Sequence, residues 1–413
     1  MKKIQTHKFK IVLGVIFLAG FFVLVYVANT IDTGNIYEMK ANINTDTKKE
    51  EEKNSKKVSH IKTPKPLKAI YMTSCVAGTI SFRNDLVKLI DDTELNSVII
   101  DIKDYTGRLS FVPKNEELKK YVSNKCMAPD MESFIDFLHS KNIYVMGRVT
   151  VFQDPFYVSL HPESAVKRAS DGGIWNDRKG ISYIDPSSKE AWNHVLAIAT
   201  SSYAIGFDEI NFDYIRFPSD GNMKDINFPH SGDMKKSDVI ENFFAYLKEN
   251  LKDTGIVTSA DLFGMVTVNH DDLNIGQVLE KGLPYFDYIA PMVYPSHFPE
   301  TFNGWQDPNK YPYELIKYTM DKAVARTIAT TTPIKTIGSV LFSTSTPVLY
   351  TKDSYDKDKI RPWLQDFDYG GIYDVKEVKA QIQATYDAGL SGWMLWAPSN
   401  RYTVGALEKE IDN

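Results

Sequence analysis

The sequence predicts an α/β protein built on a (β/α)8 barrel, and three observations predict it. Eight short apolar runs rich in β-branched residues recur between residues 68 and 398. Amphipathic stretches separate most of them, and roughly 350 residues are available, enough for eight such units with insertions. Strands that are apolar on both faces belong in a parallel sheet covered by helices.

The runs are KAIYMTS (68–74), SVIIDIKD (97–104), IYVMGRVTV (143–151), FDEINFDYI (207–215), IVTSADLFG (256–264), FDYIAPMVY (286–294), KTIGSVLF (335–342) and GWMLWAP (392–398). The clearest helical segments are FRNDLVKLIDD, APDMESFIDFLHS, SSKEAWNHVLAIATSSYAIG, KSDVIENFFAYLKEN, YELIKYTMDKAVARTI and EVKAQIQATYDAGL. An open doubly wound sheet is the other arrangement of such units. No G-x-G-x-x-G follows the first run, so the dinucleotide-binding version lacks its phosphate-cradling turn. Long insertions after the second, third and seventh runs fall on the side of a barrel that holds the active-site mouth.

Ahead of the barrel, residues 1–29 read as a lysine-rich cytoplasmic start and a transmembrane signal-anchor helix. MKKIQTHKFK carries four lysines, and IVLGVIFLAGFFVLVYVA (11–28) is long enough to cross a bilayer. The lysines place the rest of the chain on the extracytoplasmic side of the cell membrane. A cleaved signal peptide is the rival reading and has the same consequence for the barrel. Residues 30–66, with TDTKKEEEKNSKKVSHIKTPKP, read as a flexible polar linker that cannot bury a core. The barrel is assigned to 67–413.

Composition narrows the function. The net charge is −5 with no basic domain, so nucleic acid is not an expected partner. Cys75 and Cys126 are the only cysteines; their pairing is left open, and without CxxC spacing or clustered histidines they do not suggest a structural zinc site. No G-x-S-x-G, phosphate loop or H-E-x-x-H is present, and no metal or cofactor is expected. Aromatics are plentiful at 12%, which suits either a large core or surfaces that stack on sugar rings.

The fourth run carries the strongest chemical signal. In FDEINFDYIRFP, alternation puts Glu209, Asn211 and Asp213 on one face. Asp213 falls at the carboxyl end, where barrels place reacting groups; Asp208 and Glu209 fall at the stabilising end. Arg216 is expected to pair with Asp213 or with a substrate oxygen. Asp261, at the end of the fifth run, supplies the second carboxylate of the pair that glycoside hydrolysis needs; a helix cap is its plainer reading. Asp101 and Lys103 in IDIKD, Arg148 on the third run, Tyr294 on the sixth and Trp396 on the eighth complete the expected substrate-binding set. A core ion pair is the plainer role for Asp101 and Lys103. Of the two tryptophans of the eighth run, Trp396 is chosen over Trp393 because it lies nearer the carboxyl end.

FDEINFDYIRFP, with IDIKDYTG upstream and SADLFG and APMVYPSHF downstream, resembles a bacterial family of domains of unknown function considered glycosyl hydrolase-like. The resemblance runs from near Ile70 to near Asn400. It implies a TIM barrel with glycosidase activity on an extracellular or cell-wall polysaccharide. NFDYIR is more distantly similar to the nucleophile strand of retaining alpha-galactosidases, which implies a nucleophile at Asp213 and its partner at Arg216. In that clan the proton donor comes from strand six, where APMVYPSHF has no carboxylate. In alpha-amylase-type barrels it comes from strand five, which implies Asp261. A non-catalytic wall-binding barrel and a metal-dependent polysaccharide deacetylase are the alternatives.

Overall fold

The computed structural model describes residues 58–333 and 349–409. The predicted membrane helix and the seventh predicted strand (335–342) lie outside the described residues. Among the described residues no helix is long and apolar enough to cross a membrane.

The unit beginning at Val58 is a closed parallel barrel. Its strands are β1 (Lys68–Met72), β2 (Ser97–Lys103), β3 (Tyr144–Thr150), β4 (Glu209–Asp213), β5 (Val257–Phe263), β6 (Tyr288–Met292), β7 (Trp363–Gln365) and β8 (Trp393–Trp396). Each pairs with its neighbours in chain order, and β8 closes onto β1. The longer helices are α1 (Ile80–Asp91), α2 (Met131–Ser140), α3 (Lys189–Tyr203), α4 (Lys236–Leu251), α5 (Pro312–Ile328) and α6 (Val375–Asp387). All six coincide with amphipathic segments read from the sequence. Between β5 and β6 stand only a 3-10 turn, Gly264–Thr267, and a single helical turn, Leu279–Gly282.

Strict alternation sorts the apolar residues into two cores. Ile70, Val98, Val145, Val149, Ile210 and Phe212 face outward and pack beneath the helices. Ala69, Tyr71, Ile99, Tyr144, Met146, Ala290 and Met394 fill the barrel interior. This is the two-sided burial that makes parallel strands read as continuous apolar runs.

The seventh strand corrects the sequence reading. It is Trp363–Gln365, inside what was read as the insertion after strand seven. It joins β6 through the pair Met292–Trp363 and β8 through three pairs. A three-residue strand flanked by Arg361 and Asp366 has too little apolar length to stand out from a polar loop. Residues 331–333 and 349–351 instead form a small antiparallel ladder outside the barrel.

Charged groups stabilise the N-terminal end. Asp208 accepts hydrogen bonds from Val145 N (2.8 Å), Ile61 N (2.8 Å) and the His139 ring (2.9 Å). His60 stacks on Tyr203 with ring centroids 3.8 Å apart. Residues 58–66, read as the end of the linker, are therefore held against the barrel. Inside, Glu209 is paired with Arg361 and accepts from Tyr144 Oη at 3.1 Å. Cys75 and Cys126 form a disulfide, which answers the pairing that the sequence left open.

Glu209 and Arg361 are both almost fully buried, so neither tolerates loss of its partner. Arg361→Met is expected to lower unfolding stability by about 3–5 kcal/mol, because it strands a buried carboxylate. Adding Glu209→Gln should recover part of the loss. Urea unfolding measures both; a single variant within about 1 kcal/mol of the parent would show that the pair does not matter.

Candidate active site

The reacting groups meet where β2 to β5 end. The register aligns Asp101 with Arg148, Arg148 with Asn211 and Asn211 with Ser259. Residues in register on parallel strands share a face, so one interior layer runs through all four strands. Two residues further along, Asp213 and Asp261 stand on neighbouring strands at the barrel mouth.

Arg148 organises this layer. It is only 5% exposed. Its Nη1 donates to Asp101 Oδ1 at 2.6 Å, and its Nε donates to Asp213 Oδ2 at 3.0 Å, with Nη2 on the same oxygen. The Nε also lies 3.9 Å from Asp261 Oδ2. Because both carboxylate oxygens lie so close to one nitrogen, they are no more than about 7 Å apart, below the upper limit of about 9.5 Å for glycosidase carboxylate pairs. Asp101 is further held by the Tyr71 hydroxyl.

The two mouth carboxylates have opposite surroundings. Asp213 accepts from the Arg148 guanidinium through Oδ2 and from the backbone N–H of Tyr214 through Oδ1, charge-assisted and backbone donors to both of its oxygens. Tyr214 has φ 53°, a left-handed conformation unusual for an aromatic residue; it aims this N–H back at the carboxylate immediately before it. Asp261 is 1% exposed. Burial pushes its carboxyl well above the ordinary range and the Asp213 charge adds to this, against the opposing pull of Arg148, Asn211 and Trp363. Its Oδ1 accepts from Asn211 Nδ2 and Trp363 Nε1, both at 2.8 Å. Its Oδ2 has no hydrogen bond among the described residues, so a proton on Asp261 sits there.

Both carboxyls line a cavity of ≈ 400 Å³ together with Arg148, Arg216, Tyr294 and Trp396. Trp396 stacks on Tyr71 at 3.9 Å and meets Trp363 edge-on at 5.4 Å. Tyr294 is buried beside Asp261 and Asp213; burial first, then these charges, hold its hydroxyl protonated far above neutral pH. Burial lowers the His297 ring, leaving it neutral at pH 7.

Of the residues expected from the sequence, Asp213, Asp261, Arg148, Arg216, Tyr294 and Trp396 reach this cavity. Asp101 and Asn211 sit in the layer that supports it. Two expectations change. Arg216 does not pair with Asp213: its Nη1 donates to Phe217 O and Ser219 Oγ, and Arg148 takes the role expected of it. Lys103 is not at the mouth. The register shifts between Asp101 and Lys103, which places Lys103 beside the outward-facing Val149, the re-aiming that a bulge produces. Lys103 is fully buried there against Asp154 at 2.6 Å and donates to Thr150 O. Asp261 caps no helix.

Tyr71, Trp363, Tyr214, Phe263 and Gln277 were not singled out beforehand. Tyr71 had a usable signal, since it shares a face with Ala69 at the end of β1. Trp363 had none without the strand that carries it. In the run VNHDD (268–272), Asp271 and Asp272 accept the turn N–H groups of Leu273 and Asn274. Among the described residues no group of three His, Cys, Asp or Glu side chains is placed to hold a metal ion.

The family model described as "Putative glycosyl hydrolase domain" matches residues 69–402. A hypothetical protein from Ruminiclostridium thermocellum is 34% identical over 46% of this chain and 96% of its own, with a TM-score of 0.42. The PgaB (BpsB) glycoside hydrolase domain from Bordetella bronchiseptica is 12% identical, covers 83% of this chain and 99% of its own, and has a TM-score of 0.56; that likeness concerns the fold. The spore cortex-lytic enzyme SleL of Bacillus megaterium is 10% identical over 85% of this chain and 74% of its own, at a TM-score of 0.45. No curated protein matches the chain.

The surroundings of Asp261 make stability pH-dependent. A carboxyl whose folded-state value is raised binds its proton more tightly when folded, so stability is fully present below the ordinary value of 3.8 and declines as pH rises toward the folded value. Asp101, raised mainly by burial, acts in the same sense. Asp261→Asn should flatten this decline in chemical unfolding measured across pH 4 to 8. An unchanged slope would show that Asp261 titrates normally.

Proposed function

The chain belongs to the family described as "Putative glycosyl hydrolase domain", whose model it matches over residues 69–402, and from that premise we propose that it cleaves glycosidic bonds with Asp213 as nucleophile and Asp261 as acid/base. The observation that carries this reading is the divergence of two carboxyls at one barrel mouth. One is held against Arg148, and the other is lifted by burial with one oxygen free. Divergent environments of this kind separate the anionic partner from the proton donor.

In the first step, protonated Asp261 gives the proton on Oδ2 to the glycosidic oxygen. The bond from that oxygen to the anomeric carbon breaks, and its electron pair stays with the departing oxygen. Asp213 supplies an electron pair to the anomeric carbon, forming a glycosyl ester. Asp261, now anionic, removes a proton from water, which attacks the same carbon and releases Asp213. Trp396 provides an apolar face for the sugar ring, while Asp101 holds Arg148 from below. The expected substrate is an extracellular or cell-wall polysaccharide. Residues 11–28 anchor the chain in the cell membrane with the barrel outside; the Cys75–Cys126 disulfide suits an oxidising compartment.

A non-catalytic glycan-binding barrel is the second reading. It is favoured by one observation: both Asp213 oxygens are engaged within the protein. The metal-dependent deacetylase reading has no ligand set among the described residues.

The test is hydrolysis by the purified full-length chain of peptidoglycan glycan strands, α-glycans and aryl glycosides. Asp213→Asn should lower kcat by at least ~10³-fold on every substrate. Asp261→Asn should cost ~10²–10⁴-fold on glycans but far less on aryl glycosides whose leaving group needs no proton. Activity should also fall as pH rises through the raised Asp261 value. Parental rates for Asp213→Asn would remove the catalytic assignment, and binding without turnover would favour the second reading.

A further inference from the structure

Arg216 is the charged side chain lining the cavity that the proposed chemistry does not use. The positive charge of Arg148 is committed to Asp101 and Asp213. Arg216 lines the same cavity, yet no carboxylate pairs with it among the described residues. Its Nη1 is occupied by Phe217 O (3.0 Å) and Ser219 Oγ (3.2 Å). Its Nε is shut off from solvent without a partner, and Nη2 makes no hydrogen bond within the described residues. The guanidinium lies 4.7 Å from the Phe263 ring centroid and 5.6 Å from that of Tyr214. These rings hold its position by cation–π attraction and do not cancel its charge.

The remaining lining is mostly aromatic or apolar and includes Phe263, Met265, Met292 and Phe298. Tyr294, His297 and Gln277 add neutral polar groups only. A cation at the wall of a low-dielectric cavity gains most from an anion that arrives with the ligand, since water is displaced from both. A neutral sugar offers hydroxyls but no compensating charge. We propose that Arg216 is a specificity residue that binds the carboxylate of an acidic sugar, so that this site takes an anionic glycan. The inference rests on the glycoside hydrolase reading of the cavity and names its substrate class. The shared chemistry is a sugar-borne carboxylate, whether it belongs to a uronic acid or to a lactyl ether on an amino sugar.

Binding tests the inference separately from turnover. The purified full-length chain is titrated calorimetrically with oligogalacturonates and with their methyl esters. A second pair is peptide-free peptidoglycan glycan strands and the same strands with their lactyl carboxyls reduced. At least one acidic glycan should bind ten-fold or more tightly than its neutral counterpart, and the difference should shrink as salt is raised. Arg216→Gln should abolish the preference, and Arg216→Lys should keep part of it, which separates loss of charge from loss of loop structure. Preference for only one pair identifies the source of the carboxylate. Equal affinity for acidic and neutral forms, no measurable binding of either acidic glycan, or a preference that survives Arg216→Gln would overturn the proposal. A charge preference without hydrolysis would leave it standing while removing the catalytic reading.

Discussion

Arg148 is the interaction on which the barrel mouth depends. A guanidinium with so little exposure survives only because carboxylates on both flanking strands compensate it. Its fork geometry lets one side chain hold Asp101 through one nitrogen and Asp213 through two others. The same charge sits 3.9 Å from Asp261, near enough to temper the cost of burying that carboxyl but without a hydrogen bond to it. The position of one cation therefore differentiates two residues of the same chemical type.

The backbone makes that position possible. Four adjacent strands run in register, so their interior side chains form one layer. β4 carries opposite tasks at its two ends. Glu209 is tied to Arg361 at the bottom as part of the framework, while Asp213 meets Arg148 at the mouth. Between them, Asn211 links the layers by donating to Ser259 and to Asp261. The irregularity in β2 matters equally. With Lys103 turned outward to Asp154, the mouth is spared a second buried cation beside Arg148. That would have drawn Asp261 toward its ionised form.

Around this charged layer the cavity wall is largely aromatic. Trp396 in that wall packs on both Tyr71 and Trp363, and Trp363 uses its N–H to hold an Asp261 oxygen. Apolar walls lower the local dielectric and strengthen every electrostatic effect inside. Hydrogen-bonding tips on those same rings fix the carboxyl that must remain oriented. The wall that shapes the site thus also sets its proton affinity.

How much of this was legible in the sequence follows from the range of the interactions involved. Alternation and burial are local, so FDEINFDYIRFP already separated Asp213 from Asp208, and GWMLWAP already favoured Trp396 over the outward-facing Trp393. Repeated apolar runs and amphipathic helices likewise determined the barrel and seven of its eight strands. The tertiary structure decided what depends on pairing between distant segments. Three residues, Trp363–Gln365, become a strand only because β6 and β8 present open edges to them. Arg148 rather than Arg216 meets Asp213, because strand register outweighs closeness along the chain. A bulge, invisible in IDIKD, turns Lys103 away. Local periodicity is written in neighbouring residues, whereas the partner of a buried charge is chosen by whichever strand closure brings beside it.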